Sequence, residues 1–162
     1  RICYDQNMRI EIDQSGKIEN TNRATVIAFS NNKNDVLVVL SKDKKAIQRY
    51  FRKQGKPKLF IYLTFIALIY VLIIKHLKNR DQIIIDREYP GYEKLITRTI
   101  KSMIESSNIK EVTVTVHQIG KKSKAHDLAW KELQSKSHRN VRRISSSKLI
   151  GVIEAIIKPG SV

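Results

Sequence analysis

Arg9-Ile10-Glu11-Ile12-Asp13-Gln14-Ser15-Gly16 decides how the chain is read. Ile10 and Ile12 alternate with Arg9, Glu11 and Asp13, the two-residue period of a strand with one face turned inward. Gln14-Ser15-Gly16 then breaks the pattern as a turn, leaving Asp13 at a strand end. Residues 24–29 are β-branched and apolar, a second strand. A polar turn at 31–34 leads into a third strand at 35–40. Three strands joined by short polar turns form an antiparallel meander.

Downstream, residues 43–54 suit a helix that Gly55 and Pro57 interrupt. Residues 58–79 read as a long, mostly buried helix, although their Ile and Val content leaves a strand open. Residues 82–85 form a short buried strand closed by Asp86, and Pro90-Gly91 marks a loop. Tyr92, Leu95, Ile96, Thr99, Ile100, Met103 and Ile104 follow the spacing of an amphipathic helix. Residues 111–119 alternate, with Val112, Val114 and Val116 on one face. Residues 123–133 suit a helix with Ser123 as N-cap. A basic, Ser-rich linker follows, then an apolar tail at 149–157 that Gly151 leaves open as helix or strand. The order β-β-β-α-β-α-β-α predicts an α/β fold with a mixed five-stranded sheet. Its strand–helix–strand connections imply parallel pairing and right-handed crossovers. The 162 residues match one domain, with its core at about 9–133 and the linker and C-terminal element at 134–162.

The net charge is +16, from 31 Lys and Arg against 15 Asp and Glu, which favours a polyanionic partner. It is unevenly placed. Residues 42–58 carry eight basic residues against one acid, and residues 121–148 nine against two, so each segment is +7. The expectation is two halves of one phosphate-binding surface, with solvated charged faces as the plainer alternative. Residues 59–74 are apolar apart from Thr64 and the tyrosines. A spanning helix needs about twenty residues, and lysines flank this run on both sides, so a buried core helix is the simpler expectation. One cysteine, Cys3, rules out an intrachain disulfide framework, which fits a cytoplasmic protein. Cys3, His76 and His138 are too scattered for a zinc site. No secretory pattern opens the sequence, and Met8 is a candidate start with residues 1–7 as a leader.

The acids fall at strand and helix ends. Asp13 ends the first strand, Asp86 the fourth, and Asp127 opens the helix after the fifth. If the first and fourth strands are neighbours, Asp13 and Asp86 share one rim, within reach of Asp127. Each alone is an ordinary turn or cap residue. Together they are expected to hold a hard divalent cation, Mg²⁺ or Mn²⁺.

With this element order and these acids, the chain resembles the ribonuclease H-like superfamily. Ile12-Asp13-Gln14-Ser15-Gly16 is similar to that family's first-strand motif. Ile85-Asp86-Arg87-Glu88-Tyr89 is similar to its fourth-strand motif, and Ala125-His126-Asp127-Leu128-Ala129 to its last acidic motif. His117, ten residues before Asp127, resembles a mobile-loop histidine of family ribonucleases. One departure stands out: no Glu occurs between Glu19 and Glu88, where many such ribonucleases carry one in the first long helix. The resemblance implies a metal-dependent nuclease with Asp13, Asp86 and Asp127 as metal ligands and His117 assisting. Its substrate would be RNA–DNA hybrid, structured RNA or branched DNA, cut by two metal ions.

Phosphate contacts are expected from Lys44, Lys45, Arg49, Arg52 and Lys53, and from Lys121, Lys122 and Lys124. Arg87 could join them or pair with Glu88 or Glu93. His126 is expected as a surface or packing residue, and Trp130 in the core. Tyr89 and Tyr92 could stack on a base or pack on the next helix. The alternatives are a non-catalytic nucleic-acid-binding protein of the same fold, or a small membrane-associated protein. The apolar tail could support a homodimer.

Overall fold

Strand β1 (Arg9–Ser15) has partners on both sides. β2 (Thr25–Ser30) pairs with it antiparallel, and β3 (Asn34–Val39) continues the meander. Helix α1 (Ser41–Lys53) and a 3₁₀ turn (Pro57–Leu59) lead to α2 (Phe60–Ile73). β4 (Gln82–Asp86) returns parallel to β1. After α3 (Glu93–Glu105), β5 (Thr113–His117) adds parallel to β4. Helix α4 (Lys124–Gln134), β6 (Arg142–Arg143) and α5 (Ser146–Ile157) complete the order. The sheet is six-stranded and mixed, in the order β5-β4-β1-β2-β3-β6. The computed structural model describes residues 7–158, so Cys3 and nearly all of the segment ahead of Met8 lie outside it.

Two layers cover the sheet unequally. On one face Ile10, Ile12, Ile27, Phe29, Ile83 and Ile85 meet α1, α2, α3 and α5 in the main core. On the other, Val26, Ala28 and Val38 pack against α4 through Ala129, with Leu128 and Leu133 at its margin. Eleven of the fourteen α2 residues are buried, on every side of the helix. That is the pattern of a fully enclosed helix, not an amphipathic one. Burying each large apolar side chain is worth about 1.5–3 kcal/mol, so α2 is a main source of stability. It ends at Ile73, shorter than the expected 58–79. Among the described residues no helix is long and apolar enough to cross a membrane.

The sixth strand corrects the expected five. Residues Arg142 and Arg143 are too few and too charged to show a strand period. They pair parallel with β3 at Leu37 and Val38, and Ile144 N–H donates to Val38 O at 2.9 Å. Arg142 fastens the strand. Its guanidinium reaches Asp35 Oδ2 at 3.0 Å and the Val71 and Leu72 carbonyls at the end of α2. A cation there also suits the helix's negative end. The tail resolves as helix α5, its N-terminus capped by Ser145. Ser123 caps α4 as its position suggests.

The β1–β2 connection is held from inside. Gly16 has a φ of +78°, and a Cβ there would lie 2.5 Å from Ala24 O, so the turn needs glycine. Lys44, expected on the phosphate-binding surface, is fully buried. Its ammonium donates to Lys17 O (2.9 Å), Asn20 O (2.6 Å) and Thr25 Oγ1 (2.9 Å), pinning the connection to α1. Burial lowers its pKa from 10.5 to about 8. Between pH 8 and 10.5 the unfolded chain therefore binds the extra proton, and stability contributed at this site rises with pH. Lys44→Met, which removes all three of these hydrogen bonds, should cost about 1–3 kcal/mol in urea unfolding at pH 7. The gap from wild type should widen at pH 9.5, and a constant gap would contradict the proton linkage.

Candidate functional site

The parallel register aligns Ile10 with Ile83 and Ile12 with Ile85. One residue further, Asp13 and Asp86 stand side by side. Side chains alternate along a strand, so both acids point away from the isoleucines, toward the α4 face. β1 runs on to Ser15, so Asp13 lies within the strand, opposite Ala28 of β2, and not at its end. Beyond β4 the chain turns back, with Glu88 N–H donating to Asp86 O at 3.0 Å. This brings in a third acid. One carboxylate oxygen from each of Asp13, Asp86 and Glu88 lies within 4.8 Å of the other two.

Polar contacts orient these groups. Asp13 Oδ1 accepts the Gln14 N–H at 2.8 Å, and Asp13 Oδ2 lies 2.6 Å from His126 Nδ1. Asp86 Oδ1 accepts the Ile119 N–H at 2.7 Å. The start of α4 is tied to β1, because Ser123 Oγ donates to Glu11 Oε2 at 3.1 Å. Burial raises the Asp13 pKa, and the Gln14 N–H works against the rise. The Asp86 charge adds to it, while His126 opposes it. Glu88 is pushed up to about 7, first by burial and then by the charges of Asp13 and Asp86. Three carboxylates, with Asp13 and Glu88 each held above its ordinary pKa, offer the all-oxygen donor set that a hard cation such as Mg²⁺ or Mn²⁺ takes.

The expected residues divide. Asp13 and Asp86 come together. Asp127 does not join them: it is exposed and pairs with Lys131 Nζ at 2.9 Å, one helical turn on. The phase of α4 explains the exchange. Ala125 and Ala129 face the sheet, and the next position round the helix toward β1 is His126. His117 is the register partner of Asp86 and is exposed beside it, outside the carboxylate group. Lys121, Lys122 and Lys124 are exposed on the approach to α4. Lys45, Arg49, Arg52 and Lys53 are exposed on α1, in the opposite layer, so they do not share one face with Lys121, Lys122 and Lys124. Arg87 pairs with Glu93 at 3.5 Å. His76 and His138 pair with Asp35 and Glu132. Tyr89 is buried against Phe65, and Tyr92 stacks on Tyr62.

Two residues gained importance only in three dimensions. Glu88 had a signal in sequence, an acid two positions past a strand-end Asp and followed by Tyr89. His126 had none beyond its place beside Asp127. No protein-family model matches the chain, and no curated protein matches it. The geometry of the site therefore carries the functional argument.

Glu88 gives a direct test. Its pKa is about 7 folded against 4.5 unfolded, so the unfolded chain ionises first and native stability falls between those pH values. In EDTA at pH 8, Glu88→Gln should raise stability by about 1 kcal/mol, or about 2–4 °C in Tm. At pH 4.5 the variant and wild type should melt together. A lower Tm for the variant at pH 8 would show that the carboxylate is structurally required.

Proposed function

We propose that this protein is a divalent-metal-dependent nuclease, a divergent member of the ribonuclease H-like superfamily. The observation that carries this is the gathering of Asp13, Asp86 and Glu88 within 4.8 Å, where the parallel pairing of β1 with β4 ends, in a chain of net charge +16. An antiparallel meander continued by two parallel strands, as the resemblance implies, adds support. So does the acid at position 88, which supplies a third carboxylate where α2 offers none.

Asp13, the most buried of the three, would hold the metal together with Asp86 and Glu88. His126 fixes the Asp13 carboxylate through its 2.6 Å contact and acts as a positioning residue. Bound Mg²⁺ or Mn²⁺ would lower the pKa of a water nucleophile and neutralise charge at the phosphate. Lys121, Lys122 and Lys124, on the approach to α4, would meet the phosphates of the cut strand. Binding through them should weaken steeply as salt rises.

A second reading is a nucleic-acid-binding protein without turnover. The absence of an acid on α2 favours it. End-labelled RNA–DNA hybrid, duplex RNA, single strands and a four-way junction, each with Mg²⁺, Mn²⁺ or EDTA, separate the two. Cutting should require metal. Asp13→Asn and Asp86→Asn should each lower it on the order of 10³-fold. Asp127→Asn should retain most activity, because its carboxylate faces solvent. Binding without metal-dependent cutting would favour the second reading, and loss of cutting in Asp127→Asn would return that residue to the site.

A further inference from the structure

Beside the carboxylates, the β1–β2 connection and α4 enclose an open pocket of about 440 Å³. Lys17, Glu19, Asn20 and Arg23 line it from the connection, and Trp130 from the helix. Trp130, expected in the core, is 51% exposed. Among the described residues no ring stacks on it. Neither Lys17 nor Arg23 has an ion-pair partner there. A large flat aromatic face left in water, with two cations outside any described ion pair beside it, is not explained by packing.

Its position relates it to the acids. Trp130 lies four residues after His126, on the same stripe of α4 and about 6 Å further along the axis. Ser15, two residues after Asp13, belongs to the pocket wall. Lys17 lies close enough to Glu88 to oppose the rise in its pKa. A strand whose phosphate reached Asp13, Asp86 and Glu88 would thus carry a neighbouring nucleotide to Trp130.

We propose that this pocket receives an unpaired nucleobase stacked on Trp130, its phosphates held by Lys17 and Arg23. A base inside a continuous duplex has both faces covered, whereas single strands, splayed ends and bulges offer a free face. The substrate class is therefore nucleic acid with an unpaired nucleotide next to the bond that is cut. The placement of that nucleotide beside the cut bond rests on the nuclease reading; the base site itself does not.

Trp130 is the single tryptophan of the chain, so its emission reports on this pocket alone. The whole protein in EDTA would be titrated with a labelled single-stranded oligonucleotide and with a blunt duplex of the same sequence. Tryptophan emission and label anisotropy would be read together. Saturable quenching by the single strand, and much less by the duplex, is expected. Trp130→Ala should weaken single-strand binding about 5- to 150-fold, and Trp130→Phe should recover most of it. An unchanged Tm would confirm that the variants stay folded, as replacement of a half-exposed residue allows. Binding without a change in emission, equal quenching by both ligands, or an unaffected alanine variant would each overturn the base site. Quenching without metal-dependent cutting would leave the base site standing and remove the nuclease. Cutting with silent emission would do the reverse, and no binding at all would remove both.

Discussion

The parallel pairing of β1 with β4 is the constraint on which the candidate site depends. Because side chains alternate, a slip of one residue would move every side chain to the other face. Asp13 would then enter the main core, and Ile12 would take its place among the acids. Ile10, Ile12, Ile83 and Ile85 prevent this, since all four are buried against the layer that contains α2. The acids are thus set beside each other by the apolar residues behind them. Burying an unpaired carboxylate in that core would cost several kcal/mol, which adds a penalty against the slipped register. What looks like a polar site is held in place by hydrophobic registration.

Much of this was legible in sequence, for a physical reason. The meander, α1, α3, α4 and β5 each carry a period of two or near four over enough residues to show their geometry. The adjacency of Asp13 and Asp86 follows from β1 and β4 being neighbours. Other features were hidden because they depend on contacts distant in sequence. β6 is two arginines long and exists because β3 and the end of α2 offer partners for Arg142. The exchange of Asp127 for His126 turns on the phase of α4, set jointly by the Ser123 cap and the buried Ala125 and Ala129. Lys44 looked like one more cation in a basic run, but three oxygens of the β1–β2 region enclose its ammonium. Trp130 shares a helical stripe with no buried neighbour of its own size, which composition could not reveal.

The charge of the chain takes on a different meaning once its parts are placed. The basic residues of α1 lie in the layer with α2 and α5, away from the carboxylates. Those at Lys121, Lys122 and Lys124 lie on the approach to α4. Coulomb attraction between exposed charges fades over about 8–10 Å at ordinary ionic strength. On the proposed function, the α1 cations would act on a polyanion mainly through the overall field that draws it in. Those near α4, with Lys17 and Arg23, would set how it lies against Asp13.

The enclosure of α2 also has a bearing on how the chain is made. This helix is apolar on every side, and part of its cover is α5, which is synthesised well after it and packs Leu149 and Ile153 inward. Arg142, which holds the end of α2, is also late in the chain. About seventy residues separate the two ends of this contact. At a ribosomal pace of 5–20 residues per second, α2 waits roughly four to fourteen seconds for this wall. Throughout that interval a strongly hydrophobic helix has an open side, and exposed apolar surface of this kind favours aggregation until α5 arrives.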